Sequence, residues 1–145
     1  MKIVLQRVSE ASVKVDGNLT GQIKNGLLIL VGFGKDDTEA QLDYMVNKIL
    51  KLRLFSDEND KTNLSVTDIG GELLIVSQFT LYWSCKKGTR PSFDGAMEPK
   101  RAEELYNIFV EKIKTHGLKT ETGIFGADMK VSLVNDGPVT VELEN

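Results

Sequence analysis

Ser77-Gln78-Phe79-Thr80-Leu81 follows the apolar run Leu73-Leu74-Ile75-Val76, so three hydrogen-bonding side chains, Ser77, Gln78 and Thr80, terminate a segment that otherwise reads as a buried strand. Buried polar groups need partners, so this strand end either pairs internally or faces a cavity. A strand end facing a cavity can also offer free backbone N–H groups to an oxyanion, with no reorganisation during reaction. The second segment with chemical potential is Gly137-Pro138, which interrupts two β-like runs between Val131 and Leu143. Proline has no N–H for a sheet ladder, glycine has no Cβ, and an X-Pro bond is the kind with a realistic chance of being cis. Turn chemistry makes the pair a loop or tight hairpin between two strands. The alternative is a rigid backbone wedge whose carbonyls face a ligand.

Other candidates reduce to ordinary structure. His116, the single histidine, falls in the last turn of a helical pattern just before Gly117, where an imidazolium complements the helix dipole. A Ser-His-Asp triad would need this one residue, which makes that mechanism a poor fit. Gly32-Phe33-Gly34-Lys35 invites comparison with a phosphate loop but has neither the G-x-G-x-x-G nor the G-x-x-x-x-G-K-[ST] spacing, so turn chemistry suffices. Cys85, flanked by Ser84 and Lys86-Lys87, has no histidine base nearby in sequence and reads as a free thiol. With one cysteine and one histidine there is no disulfide framework and too few soft ligands for zinc, so neither a metal nor a cofactor is expected. A net charge of −3 argues against binding a polyanion by bulk charge, so any nucleic-acid contact has to be local. The densest local candidate is Lys86-Lys87-Gly88-Thr89-Arg90, whose Lys86, Lys87 and Arg90 either reach phosphates or form a solvated loop.

The elements that must position these residues follow from periodicity. Ile3–Val8 and Ala11–Val15 have β character, Asp16-Gly17 reads as a hairpin turn, Leu19–Ile23 returns, and Gly26–Gly32 is apolar throughout, as in a strand covered on both faces. Thr38 can cap a helix to about Leu52, since Leu42, Met45, Val46, Ile49 and Leu50 fall on one stripe. Pro99 starts a second helix with Ala102, Leu105, Tyr106, Phe109, Val110 and Ile113 inward, ending at His116-Gly117. Strands resume from Leu118 through Met129 to Val134, and again after Gly137-Pro138. The expectation is an α+β fold: a single domain over residues 1–145, with a mostly antiparallel, barrel-like sheet core and two amphipathic helices. No run of about 18 apolar residues appears, and Met1-Lys2-Ile3-Val4 leads straight into a strand pattern, so a soluble, cytoplasmic protein without membrane contact is expected.

Taken together, Ser77-Gln78-Phe79-Thr80-Leu81 and Asn135-Asp136-Gly137-Pro138-Val139-Thr140 closely resemble the D-aminoacyl-tRNA deacylases. The likeness extends along the chain through Gln6-Arg7-Val8, Asn63-Leu64-Ser65-Val66, Gly70-Gly71-Glu72-Leu73, Lys87-Gly88-Thr89-Arg90-Pro91-Ser92-Phe93 and Gly126-Ala127-Asp128-Met129. Each piece is weak alone and their order is specific. The resemblance implies a cytoplasmic homodimer that hydrolyses the ester between a D-amino acid, or glycine, and the terminal adenosine of tRNA. It further implies a cis Gly137-Pro138 peptide that enters the other subunit's site as a chiral filter, with Arg7 and Met129 helping to hold it. Ser77, Gln78, Phe79 and Thr80 would line the reaction site, and Lys86, Lys87 and Arg90 would meet the tRNA 3′ end. Thr80 matches a threonine proposed as nucleophile; a chain with no evident histidine base favours backbone groups and the ribose 2′-hydroxyl instead. One departure from the family pattern is Trp83-Ser84, where a small residue and an aspartate are usual. Trp83 either stacks on a base or ribose or is a partly buried packing residue. The rival from another class is a nonenzymatic nucleic-acid-binding protein using the same dimer and the Lys86–Arg90 loop.

Overall fold

The computed structural model describes residues 1–86 and 88–145. β1 (Lys2–Val15) joins the two runs that read as separate strands into one. β2 (Asn18–Ile23) returns along its second half through Asp16 and Gly17, whose φ values of 50° and 80° suit a tight hairpin needing two positive-φ residues. β3 (Gly26–Gly32) pairs antiparallel with the first half, Lys2 to Val8. Thr38 makes the expected capping box, but over a short 3₁₀ turn, Glu39–Gln41, that leads into α1 (Leu42–Lys51). β4 (Arg53–Ser56) and β5 (Thr62–Ser65) then form a small hairpin that periodicity does not announce, because each run is only four residues. β6 (Glu72–Ser77) lies parallel to β3 and ends at Ser77; Gln78 to Leu81 do not continue it as expected. A 3₁₀ turn over Phe79–Tyr82 follows instead, and α2 (Pro99–Lys114) comes next. β7 (Thr120–Thr122) extends the parallel pairing from β6, and β8 (Met129–Glu144) runs antiparallel along the other edge of β1.

The main sheet runs β2-β1-β3-β6-β7, with β8 on β1. It curls until its ends approach each other. A Cβ on Gly21 of β2 would stand 2.8 Å from the Thr122 carbonyl of β7, and Lys119 Nζ donates to the Gln22 carbonyl at 3.2 Å. The result is the nearly closed, mostly antiparallel barrel with two helices that the sequence suggests.

Both faces of β3 and β6 are buried, in separate clusters. Leu27, Ile29, Val31, Leu73 and Ile75 pack under the helices with Phe109 and Ile113, while Leu28, Leu74 and Val76 meet Val8, Val13 and Ile23 on the other side. This explains why Gly26–Gly32 and Leu73–Val76 are apolar at successive positions rather than at alternate ones.

The expected break at Gly137-Pro138 is not a loop between two strands. Both halves of β8 pair with β1, Lys130 to Asn135 on one side and Thr140 to Glu144 on the other. Between the pairs Val8–Asn135 and Gln6–Thr140, the residues Asp136 to Val139 oppose Arg7 alone, so the segment leaves the ladder as an enlarged bulge. The proline sits where no ladder donor is needed. The Gly137-Pro138 peptide is cis.

Exposed carboxylates close the turns. The backbone N–H of Asn59, then that of Lys61, holds the Asp57 carboxyl below its usual range at the β4–β5 turn. The Ser65 N–H does the same for Asp68, and the N–H groups of Lys100 and Arg101 for Glu98, which caps α2. A carboxyl depressed on folding adds stability that is present above its unfolded pKa of about 4 and disappears as pH falls through the lower folded value. The urea midpoint should therefore stay level from pH 7 to about 5 and fall below about pH 4. A midpoint that rises between pH 5 and 3 would contradict these bonds.

Candidate active site

β6 carries its apolar run outward until Ser77, where the chain turns. The Gln78 N–H donates to the Val31 carbonyl at 2.7 Å, which is the last bond to β3. The turn then starts without a side-chain cap, and its first internal bond is Leu81 N–H to the Gln78 carbonyl at 3.3 Å. The N–H groups of Phe79 and Thr80 precede that bond, so the turn itself supplies them no acceptor. The Gln78 side-chain amide donates to the Thr80 hydroxyl, so Thr80 is tied to a neutral amide and not to a base. The two readings of this polar strand end are thus both realised in part. Gln78 and Thr80 pair with each other, while Ser77, Gln78 and Phe79 line a cavity of about 430 Å³.

The cavity is a mainly apolar chamber open to one side. Its walls include Met97 just before α2, Ala102 in the first turns of α2, Phe125 and Met129. At its mouth Phe79, 58% exposed, meets Phe93 edge to face at 5.1 Å between ring centres. Met97 and Phe125 carry no signal in the sequence as site residues. Met97 precedes the helix pattern and Phe125 lies in the connection between β7 and β8, so neither falls in a periodic stripe.

Arg7 and Gly137 form a second centre. Arg7 Nε donates to the Asp136 carbonyl at 2.9 Å, Nη1 donates to the Leu54 carbonyl at 2.5 Å, and the Asp136 carboxylate stands 3.6 Å from Nε. The guanidinium thus bridges the β4–β5 hairpin and the bulge of β8. Gly137 adopts φ 129°, and a Cβ there would lie 2.8 Å from Arg7 Nη2. Gly137 and Pro138 are exposed and are not among the residues lining the cavity. Met129, grouped with Arg7 from the sequence, lines the cavity instead, and its sulfur packs where a Cβ on Gly123 would be.

The basic loop springs from the end of the 3₁₀ turn. Ser84 and Ser92 exchange backbone hydrogen bonds at 2.9 and 2.8 Å and tie its base. Lys86 and Arg90 are exposed on it, Cys85 is a free exposed thiol, and Lys87 lies outside the described residues. Trp83 is 61% exposed at the root of the loop and is not a buried packing residue. His116 is exposed beyond α2 and away from the cavity lining.

With this geometry in place, the likeness to known proteins is specific. A family model described as D-Tyr-tRNA(Tyr) deacylase matches residues 4–144. The D-aminoacyl-tRNA deacylase of Koribacter versatilis is 57% identical over 145 residues, covering 100% of this chain and 97% of the relative. That of Clostridioides difficile is 56% identical with the same coverage. A solved structure of the c-Myc DNA unwinding element binding protein superimposes with a TM-score of 0.93 at 46% identity, over 100% of this chain and 99% of that one. A probable eukaryotic D-amino acid tRNA deacylase, at 16% identity and covering 98% and 97%, shares the fold with a TM-score of 0.86.

Substituting Gly137 by alanine forces a side chain into a backbone conformation open essentially to glycine, at a cost of about 1–3 kcal/mol. The Cβ must also displace Arg7. Urea unfolding should show the loss; a variant as stable as the parent would mean that the bulge relaxes freely.

Proposed function

The chain belongs to the D-aminoacyl-tRNA deacylase family, and from that premise we propose that it hydrolyses the ester joining a D-amino acid or glycine to the 3′-terminal adenosine of tRNA. The observation that carries the reading is the turn after β6: Ser77, Gln78 and Phe79 line the one end of an apolar chamber, with backbone N–H groups at the start of the turn and no histidine in the lining. An aminoacyl ester is already activated, so placing a water and stabilising the oxyanion are sufficient chemistry. Water adds to the ester carbonyl and the N–H groups of Phe79 and Thr80 stabilise the tetrahedral oxyanion. Collapse then expels the ribose oxygen, and the neighbouring 2′-hydroxyl relays the proton from the attacking water to it. In this reading Thr80, which accepts a hydrogen bond from the Gln78 amide, does not act as the nucleophile.

Selectivity is proposed to come from a second copy of the chain. Gly137 and Pro138 are exposed on the bulge of β8 and do not line their own chamber, and Arg7 braces the segment through the Asp136 carbonyl. In a homodimer this segment enters the other subunit's chamber beside Met129. Its carbonyls receive the α-ammonium group and leave no room for an L side chain, while glycine has nothing to exclude. The exposed Lys86 and Arg90, together with Lys87 on the strength of sequence alone, are proposed to meet phosphates of the acceptor end. The site of action is proposed to be the cytoplasm; no helix among the described residues is long and apolar enough to cross a membrane.

A nonenzymatic nucleic-acid-binding role is the second reading, favoured by the 46%-identical structure named for DNA binding. The net charge of −3 argues against binding a polyanion by bulk charge.

Single-turnover assays on matched D- and L-aminoacyl-tRNAs distinguish the two. Rapid hydrolysis of the D ester and survival of the L ester are expected, and Gly137→Ala should erode that selectivity. Binding without hydrolysis, or equal rates on both enantiomers, would overturn the proposal. Thr80→Ala should retain activity to within about tenfold, whereas loss of a true nucleophile in a serine hydrolase costs about 10⁶-fold. A mass near twice the 16.1 kDa chain is expected in dilute solution, and a monomer with full chiral selection would exclude the second-copy filter.

A further inference from the structure

Tyr82 closes the 3₁₀ turn that carries Phe79 and Thr80, and its ring lies beside three glycines, of which Gly34 leaves the room it needs. A Cβ on Gly34 would stand 2.7 Å from the ring's Cε1 and hydroxyl, and Cβ atoms on Gly32 and Gly95 would each reach the ring at 3.5 Å. The Gly32-Phe33-Gly34 motif, which has the look of a phosphate loop, is therefore a seat for a tyrosine. Tyr82 Oη donates to Asp37 Oδ2 at 3.2 Å, and the same oxygen accepts the Gly34 N–H at 2.6 Å. The other Asp37 oxygen faces the buried Met1 ammonium at 2.5 Å, so the carboxylate is fixed from three directions. Lys2 Nζ lies 5.4 Å from the ring centre. Burial first, and the Asp37 carboxylate second, push the Tyr82 hydroxyl well above its ordinary range, which keeps it a donor.

The same frame reaches Met97 of the chamber wall and Phe93, which packs on Phe79. Lys35 N–H donates to the Gly95 carbonyl at 3.2 Å, Met97 N–H to the Phe33 carbonyl at 2.9 Å, and Ala96 N–H to the Phe93 carbonyl at 2.9 Å. Phe79 and Phe93, and the loop tied at Ser84 and Ser92 between them, therefore hang from the segment around Tyr82. We propose that Tyr82, seated on Gly32, Gly34 and Gly95 and held by Asp37, is a positioning residue that sets the aromatic lip and the basic loop against the acceptor end of the tRNA. This role rests on the deacylase reading. It lies outside the chemistry, because Tyr82 does not line the chamber.

The test compares two substrates, a D-aminoacyl-tRNA and the same D-aminoacyl ester of free adenosine. Tyr82→Phe should raise KM for the tRNA ester about tenfold, the scale of a lost hydrogen bond to a charged acceptor, with kcat within about twofold. Both constants for the adenosine ester should stay level. Gly34→Ala should act in the same direction, and if it does not fold, Tyr82→Phe, which adds no atom, carries the test alone. The KM effects of Tyr82→Phe and Asp37→Asn should be less than additive if they share one bond. An unchanged KM for the tRNA ester, or equal losses of kcat on both esters, overturns the role. If the parent hydrolyses neither ester, the deacylase reading fails on its own. Tyr82 is then judged by affinity for uncharged tRNA and by amide exchange in residues 79–97: weaker binding with faster exchange in Tyr82→Phe supports the role, and no change in either overturns it.

Discussion

β3 and β6 bury both faces, so their backbones can satisfy their hydrogen bonds only within the plane of the sheet, through β1 on one side and β7 on the other. That requirement organises the molecule. One face takes the stripes of α1 and α2, and the other is closed by the curl of β1 and β2 over Leu28, Leu74 and Val76. The polar chain can emerge only at a strand end, and β6 does so at Ser77. The chamber forms where apolar walls from the barrel and α2 meet the first polar atoms beyond the core. Its position is a by-product of burying a parallel pair.

Much of this is legible in residue order. The continuous apolar runs 26–32 and 73–76 and the two helical stripes belong to elements held by large, local burial patterns. The missing pieces have identifiable causes. Phe79-Thr80-Leu81 looks strand-like by composition, yet Gln78 gives its N–H to Val31 and then the chain turns, with the Gln78 carbonyl close against Gly32, a contact that residues 78–81 alone do not announce. The β4–β5 hairpin is too short for a period and is held by Asp57 and by Arg7, whose partners lie far apart in sequence. Gly137-Pro138 announces an interruption but not its form, because the continuity of β8 depends on β1 pairing at both ends. Ser77, Gln78 and Phe79 could be picked from the sequence as site residues; Met97 and Phe125 could not, because their contribution is only to be near.

Arg7 shows how little chemistry the arrangement needs. A planar guanidinium can give parallel bonds to two carbonyls from separate elements, and a lysine ammonium is a point charge on a flexible stem. Here those carbonyls are Leu54 and Asp136, so the small hairpin and the protruding segment share one brace. The hairpin, which has no residue in the chamber, thereby acquires a part in the geometry of the segment proposed to select the substrate.

The bulge of β8 has a further consequence for the solitary chain. Among the described residues β8 is hydrogen-bonded to β1 alone, so one side of a 16-residue strand is an open edge. Long, flat edges recruit strands from other molecules and seed fibrous aggregates. Residues 136–139 divide this edge into two shorter stretches, and Pro138 removes a donor at the division. Alternating exposed charges at Lys130, Glu142 and Glu144 oppose the remainder. A second strand sliding along β8 would lose register at the bulge, so the protrusion proposed to read the substrate also interrupts the edge along which another strand could pair.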